Sequence, residues 1–282
     1  MVAPGRIATP GGREIAFERW SVDSGTATLF VHGTGFCKEL WRPVAAEVRP
    51  GAPVLAGVAM DQMGHGDSTV LEPPHPWREL GADTAAVAHA VLDAPRIGVG
   101  HSSGGAALCI AELAEPGTFA GLILIEPIVV PGPVRRAEDL PIAIGAVRRR
   151  PSFSDRAEAA ANFGEREPFS LWRPDVLDLY LDHGFRDEDG RRELKCRPQT
   201  EAEVFFEGLN HDTWDRLDEI TCPVVVLAGE GSETHGAALV AALTARFVDA
   251  TSSIVSGATH SLPMERPDVV AGAAQAMASR IS

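Results

Sequence analysis

Between Thr26 and Ile125, short apolar runs rich in β-formers take turns with stretches whose apolar residues recur at helical spacing, and this constrains the fold most tightly. Thr26 to Val31, Pro53 to Met60, Ile97 to Gly100 and Gly121 to Ile125 read as buried strands. Trp77 to Leu92 places Leu80, Ala85, Val87, Ala88, Val91 and Leu92 along one helical face, and Ser103 to Ala114 is helical in composition. Such alternation predicts an α/β fold: a parallel sheet with helices on both faces and ligands at the carboxyl ends of its strands. Near the start, Arg6 to Thr9 and Arg13 to Trp20 flank Pro10-Gly11-Gly12, which reads as a hairpin adding an antiparallel edge.

The alternation breaks after Pro127. Pro131 to Leu217 is rich in Arg, Asp, Glu and aromatics, and predicts helices over 156–163, 174–183 and 200–208 without strand runs. Strand and helix signals then resume with Val224 to Ala228, Gly236 to Arg246, Ser253 to Val255 and Pro267 to Arg280. Residues 1–130 and 218–282 are therefore expected to form one core domain, with 131–217 as a helical cap insertion. A chain of 282 residues suits one core with an elaboration better than two independent catalytic domains.

Lys and Arg number 25 against 39 Asp and Glu, a net charge of −14 that repels phosphate backbones and anionic membrane surfaces. Nucleic acid and membrane are not expected as partners; the partner implied is a small-molecule substrate. No apolar run approaches the ~20 residues that cross a bilayer, and Met1 to Trp20 lacks a basic-then-apolar leader pattern, so the chain reads as cytoplasmic. Cys37, Cys109, Cys196 and Cys222 are scattered, which suggests buried reduced thiols rather than a zinc or redox motif. Composition says nothing about oligomeric state.

Gly100-His101-Ser102-Ser103-Gly104-Gly105 joins an expected strand to an expected helix. There a G-x-S-x-G pattern puts the serine on a strained turn with its hydroxyl at the sheet edge, while the helix start presents amides and a positive dipole end to developing negative charge. His32-Gly33-Thr34-Gly35 follows another strand and can offer further backbone donors, so Thr34 and Ser103 are the candidate oxyanion-hole amides. Gly257-Ala258-Thr259-His260 follows a late strand, from which a histidine can reach back to the serine.

These stretches, together with Asp61-Gln62-Met63-Gly64-His65-Gly66-Asp67-Ser68, resemble the α/β-hydrolase family over nearly the whole chain. The resemblance implies a mostly parallel eight-stranded sheet, Ser102 as nucleophile, His260 as general base, and the Thr34 and Ser103 amides as the oxyanion hole. It makes the Asp61–Ser68 turn mainly structural, with His65 and Asp67 as turn-stabilising groups. Family members usually carry their acid in the loop that is Gly229-Glu230-Gly231-Ser232-Glu233 here, and the usual Asp position falls on Ser232. Glu126, ending Leu122-Ile123-Leu124-Ile125 ahead of Pro127, stands where some similar enzymes place theirs and is preferred, with Glu230 and Glu233 as rivals.

The implied chemistry is attack of Ser102 on a carbonyl, with an acyl-enzyme and no metal or organic cofactor. Esters and lactones fit best. Carbon–carbon hydrolysis, perhydrolysis and acyl transfer use the same groups, and a ligand-binding protein that keeps the fold is a rival of another class. The remaining features read as structural: Arg148 to Arg150 as a solvated helix face, and His75, His89, His183, His211 and His235 without metal-ligand spacing. Trp41, Phe153, Phe163, Trp172, Phe205, Phe206 and Trp214 are taken as core packing, with an apolar pocket between insertion and core as the alternative.

Overall fold

The computed structural model describes residues 2–20, 25–47, 52–53, 55–70, 72–132, 141–208 and 210–281. Strand β1 (Val2–Ala8) turns through a Gly12 at φ 75° into β2 (Glu14–Trp20), the antiparallel hairpin that Pro10-Gly11-Gly12 predicts. There follow β3 (Thr26–Val31), the short helix α1 (Arg42–Ala46), β4 (Leu55–Met60), α2 (Trp77–Val91), β5 (Arg96–His101), α3 (Ser103–Ala114) and β6 (Gly121–Ile125). These join β10 (Val224–Gly229) and β11 (Ala250–Val255) in an eight-stranded sheet of order β1-β2-β4-β3-β5-β6-β10-β11. Every pairing from β4 to β11 is parallel, and only β1–β2 and β2–β4 are antiparallel.

Two cores lie on opposite faces of this sheet because successive side chains alternate. Leu29, Val31, Leu122, Leu124, Val224 and Val226 pack against α2 and α3 through Leu80, Val87, Ala107 and Leu108. Phe30, Ile97, Val99, Ile123, Ile125 and Leu227 face α10 (Pro267–Ile281) through Val270, Ala271, Ala274 and Met277. Helices α8 (Ala237–Thr244) and α9 (Leu262–Glu265) complete the C-terminal part. Trp41 lies in the second of these cores and Trp214 packs against the first, as expected of core aromatics.

Between β6 and β10 the chain leaves the sheet. The described part holds α4 (Pro141–Val147), β7 (Ser152–Phe153), α5 (Arg156–Gly164), α6 (Pro174–His183), β8 (Phe185–Glu188), β9 (Arg191–Leu194) and α7 (Pro198–Glu207); residues 133–140 lie outside the described ones. Helices α5, α6 and α7 fall on the predicted stretches to within two residues at either end. The sequence reading left out α4 and expected no strands here, whereas β7-β9-β8 form a three-stranded antiparallel sheet. Its hairpin turns at Asp189-Gly190, both left-handed at φ 49° and 73°. That pair is the dipeptide a two-residue hairpin turn favours. Phe153, Phe163, Trp172, Val176, Tyr180 and Phe185 form the insertion's own apolar cluster, which Cys37 and Leu40 from the segment after β3 and Met264 of α9 join. Among the described residues no helix is long and apolar enough to cross a membrane.

Candidate active site

Strand β5 runs directly into α3, and Ser102 between them sits at φ 54°, ψ −117°. A residue with a Cβ is strained there and persists only where its surroundings over-determine it. Here Ser102 N–H donates to the Ile125 carbonyl at 2.9 Å, and the Ser102 carbonyl accepts from Gly105, Ala106 and Ile128 at 3.1–3.2 Å. The sharp turn lays α3 on the end of β3, so a methyl at Gly104 would stand 2.2 Å from the Val31 carbonyl oxygen. The elbow glycine is thus required by backbone approach.

The loop after β3 lies against this elbow, since a methyl at Gly33 would come within 3.2 Å of Ser102 Cβ. Two buried histidines pin it. His65 Nε2 accepts from Gly35 N–H at 2.9 Å while its Nδ1–H donates to the Met63 carbonyl at 2.9 Å. His32 donates from Nδ1 to the Gly33 carbonyl at 2.7 Å and accepts at Nε2 from Gln62 N–H at 3.2 Å. Each ring uses one nitrogen as donor and the other as acceptor, which only the neutral form allows. Burial pushes His32 down to about 3 and lowers His65 as well. Asp61 accepts from the backbone N–H groups of Lys38 (2.8 Å) and Asp67 (2.9 Å), and Asp67 binds Lys38 and Lys195. The Asp61–Ser68 turn therefore braces the Gly33–Gly35 loop, the structural role read for His65 and Asp67. Among the described residues no hydrogen bond occupies the backbone N–H of Thr34 or of Ser103.

His260 stands between β11 and α9, its carbonyl accepting from His101 Nε2 at 2.8 Å. Burial holds His101 at about 3, so its ring is a neutral strut. On the far side, His260 Nδ1 lies 2.5 Å from Glu126 Oε2. A carboxylate at Nδ1 fixes the tautomer and leaves the Nε2 lone pair free as a base. Glu126 is fully buried at the end of β6, itself left-handed at φ 46°. Burial alone would raise its carboxyl, but donors from His235, His260 and Ser232 hold it well below the usual carboxylate range. Gly229 N–H donates to Oε1 at 2.8 Å; Ser232 Oγ (2.6 Å) and Thr234 Oγ1 (3.0 Å) approach Oε2. Position 232, where the family resemblance would put the acid, holds a serine that hydrogen-bonds Glu126 at the end of β6.

Of the three candidate acids, Glu126 alone touches His260. Glu230 is exposed and accepts from Ser256 Oγ at 2.7 Å, and Glu233 is exposed. Ser102 Oγ and His260 are not hydrogen-bonded to each other in this structure; nucleophile–base contacts commonly tighten only in the substrate complex.

The sequence singles out nothing at Thr234 and reads His235 only as a structural histidine. Their contacts with Glu126 span more than a hundred residues, and no local pattern announces them. One ligand atom each from Glu126, His235 and His260 lies within 4.8 Å of the others, a spacing that would admit a cation, although hydrogen bonds already engage these groups. The reading of Arg148 to Arg150 as a solvated face needs correction at its centre. Arg149 is largely buried, bound to Glu201 at 2.7 Å and Tyr180 Oη at 2.7 Å, with Phe163 and Phe169 beneath its guanidinium. Glu201 in turn lies against Gly35, so α7 and the Arg149 segment that follows α4 meet the loop beside Ser102. Phe36 links the same regions, its ring stacked 6.1 Å from His101 and edge-on 5.3 Å from Trp172.

This sheet, elbow and histidine loop define a class. The profile described as "Alpha/beta hydrolase family" matches residues 28–274, and the chain belongs to that family. It is similar to lipase LipV of Mycobacterium tuberculosis, 30% identical over 176 residues that make up 60% of this chain and 61% of LipV. With peroxisomal membrane protein LPX1 of Saccharomyces cerevisiae it shares 32% identity over 127 residues, 38% of this chain and 33% of LPX1. The matches thus span from a third to three fifths of these relatives' length. The solved structure of E-2-(acetamidomethylene)succinate hydrolase superposes with a TM-score of 0.83 at 21% identity, covering 99% of this chain and 100% of that one, a likeness of fold.

Proposed function

We propose that the chain is a serine hydrolase that cleaves a carboxylic ester or lactone through an acyl-enzyme on Ser102. His260 Nε2 takes the Ser102 proton as Oγ attacks the carbonyl carbon, and the Thr34 and Ser103 amides bind the oxyanion. His260 then protonates the leaving alcohol, and a water activated by the same nitrogen releases the acid. Glu126 stabilises the imidazolium formed in both steps. The insertion acts as a cap whose aromatics, together with Phe36, select the acyl group. The single observation that carries this reading is the buried Glu126 carboxylate on Nδ1 of His260, alongside the strained Ser102. Similarity to a lipase supports ester chemistry.

The test is a panel of esters, lactones and amides assayed with wild type and Ser102→Ala. Sustained turnover of esters or lactones, lost in Ser102→Ala by several powers of ten, is the expected result. Full activity in Ser102→Ala would overturn the mechanism, and one stoichiometric burst without turnover would point to a ligand-binding protein. Transfer of the acyl group to added alcohol or peroxide in preference to water would make the chain a transferase or perhydrolase on the same groups.

A further inference from the structure

The loop after β10 holds a second histidine behind the acid. His235 is 2% exposed. Its Nε2 stands 3.0 Å from the Pro127 carbonyl, a pure acceptor, so Nε2–H is the donor. Its Nδ1 lies 3.0 Å from Thr234 Oγ1, whose hydroxyl donates to Glu126 Oε2, also at 3.0 Å. Glu126 Oε2 lies 3.5 Å from the same nitrogen. The backbone N–H of His235 donates to Ser232 Oγ at 3.0 Å, which locks the loop on itself.

Pro127 lies between acid and elbow, and its carbonyl accepts from Val129 N–H at 2.7 Å as well. It follows Glu126 at φ 46°, and its neighbours clasp the elbow: Ser102 N–H donates to the Ile125 carbonyl at 2.9 Å, and Ile128 N–H to the Ser102 carbonyl at 3.2 Å. One short turn therefore carries the acid and grips the nucleophile, both in left-handed backbone. We propose that His235 is a positioning residue: through its bond to the Pro127 carbonyl and its contact with Thr234 it keeps the Glu126 carboxylate on Nδ1 of His260. The inference rests on the reading of Ser102, His260 and Glu126 as a triad.

The experiment compares His235→Gln, His235→Phe and His235→Asn in the full chain, alone and with Glu126→Gln. Melting temperature, kcat, KM for a short-chain chromogenic ester and the rate of Ser102 sulfonylation are measured. Gln can place an amide N–H near the position of Nε2; Phe fills the space without a donor, and Asn cannot reach. In His235→Phe, kcat and the sulfonylation rate fall by about 10–100-fold, comparable to what losing an outer hydrogen-bond partner costs at a metal-binding histidine, with KM changed less than about threefold. His235→Gln returns to within about fivefold of wild type. On a Glu126→Gln background His235→Phe has little further effect, because it acts through the carboxylate.

A folded His235→Phe with wild-type kcat overturns the proposal. So do equal losses in Phe and Gln, or a loss that is fully additive with Glu126→Gln. If His235→Phe does not fold, the Asn and Gln variants decide: equal kcat values refute the inference, and a Gln-specific recovery upholds it. If Glu126→Gln alone keeps wild-type activity, the triad reading itself fails, which the other outcomes leave intact.

Discussion

Replacing Glu126 by Gln changes one atom in a site whose every contact is a donor. Gly229 N–H points at Oε1, so the amide oxygen must stay there and the NH2 group takes the place of Oε2. It then confronts His260 Nδ1, 2.5 Å away in the wild type. Ser232 and Thr234 can rotate their hydroxyls, but the imidazole can answer only by moving its proton to Nε2, and an Nε2–H ring is no base. The lost charge adds to this. An imidazolium and a carboxylate with charge centres about 4 Å apart attract by about 4 kcal/mol at an effective dielectric of 20, a factor of about 10³ in rate. We expect kcat on a chromogenic ester to fall by about 10²–10⁴ with KM and melting temperature little changed, and Glu233→Gln to stay near wild type. Activity within tenfold of wild type in Glu126→Gln, with Glu230→Gln or Glu233→Gln crippled, would refute the assignment of the acid.

Two further predictions follow from burial and packing. His32 and His101, held neutral at about 3 against an ordinary 6.5, refuse protons that the unfolded chain binds, so stability falls as pH drops from 6.5 towards 3. At pH 5 the loss is about 2 kcal/mol for each ring, and depressed Glu126 adds a loss of the same sign below its ordinary range; urea unfolding at pH 7, 6 and 5 should show the midpoint falling, and a flat profile would contradict the neutral assignment. Phe36→Ala should reorder acetyl, butyryl and octanoyl esters by about tenfold in relative kcat/KM while Ser102 still reacts with a sulfonyl fluoride; an equal change for all three would place the acyl pocket elsewhere.

Much of this arrangement was legible in the chain because its signals are local. The β/α alternation, the glycines that let α3 lie on β3, and the Glu126-Pro127 step after an apolar strand are patterns of a few residues, and the strands and helices of the sheet lie where those patterns put them. What escaped is non-local or was outweighed. The Asp189-Gly190 hairpin carried a usable turn signal, but its flanking strands are charged and carry little apolar alternation. Arg149 looked solvated because its partners Glu201 and Tyr180 lie tens of residues away on other helices. The same holds for Ser232, Thr234 and His235: only the β6–β10 pairing brings their loop onto Glu126.

The most direct measurement is peptide mass spectrometry of the intact chain after reaction with a fluorophosphonate. One adduct on Ser102, abolished in Ser102→Ala and slowed by about the same factor as kcat in Glu126→Gln, is the predicted result. Labelling at another serine, or rapid labelling of Ser102 that is indifferent to Glu126→Gln and His260→Ala, would contradict the proposal that these three residues act together.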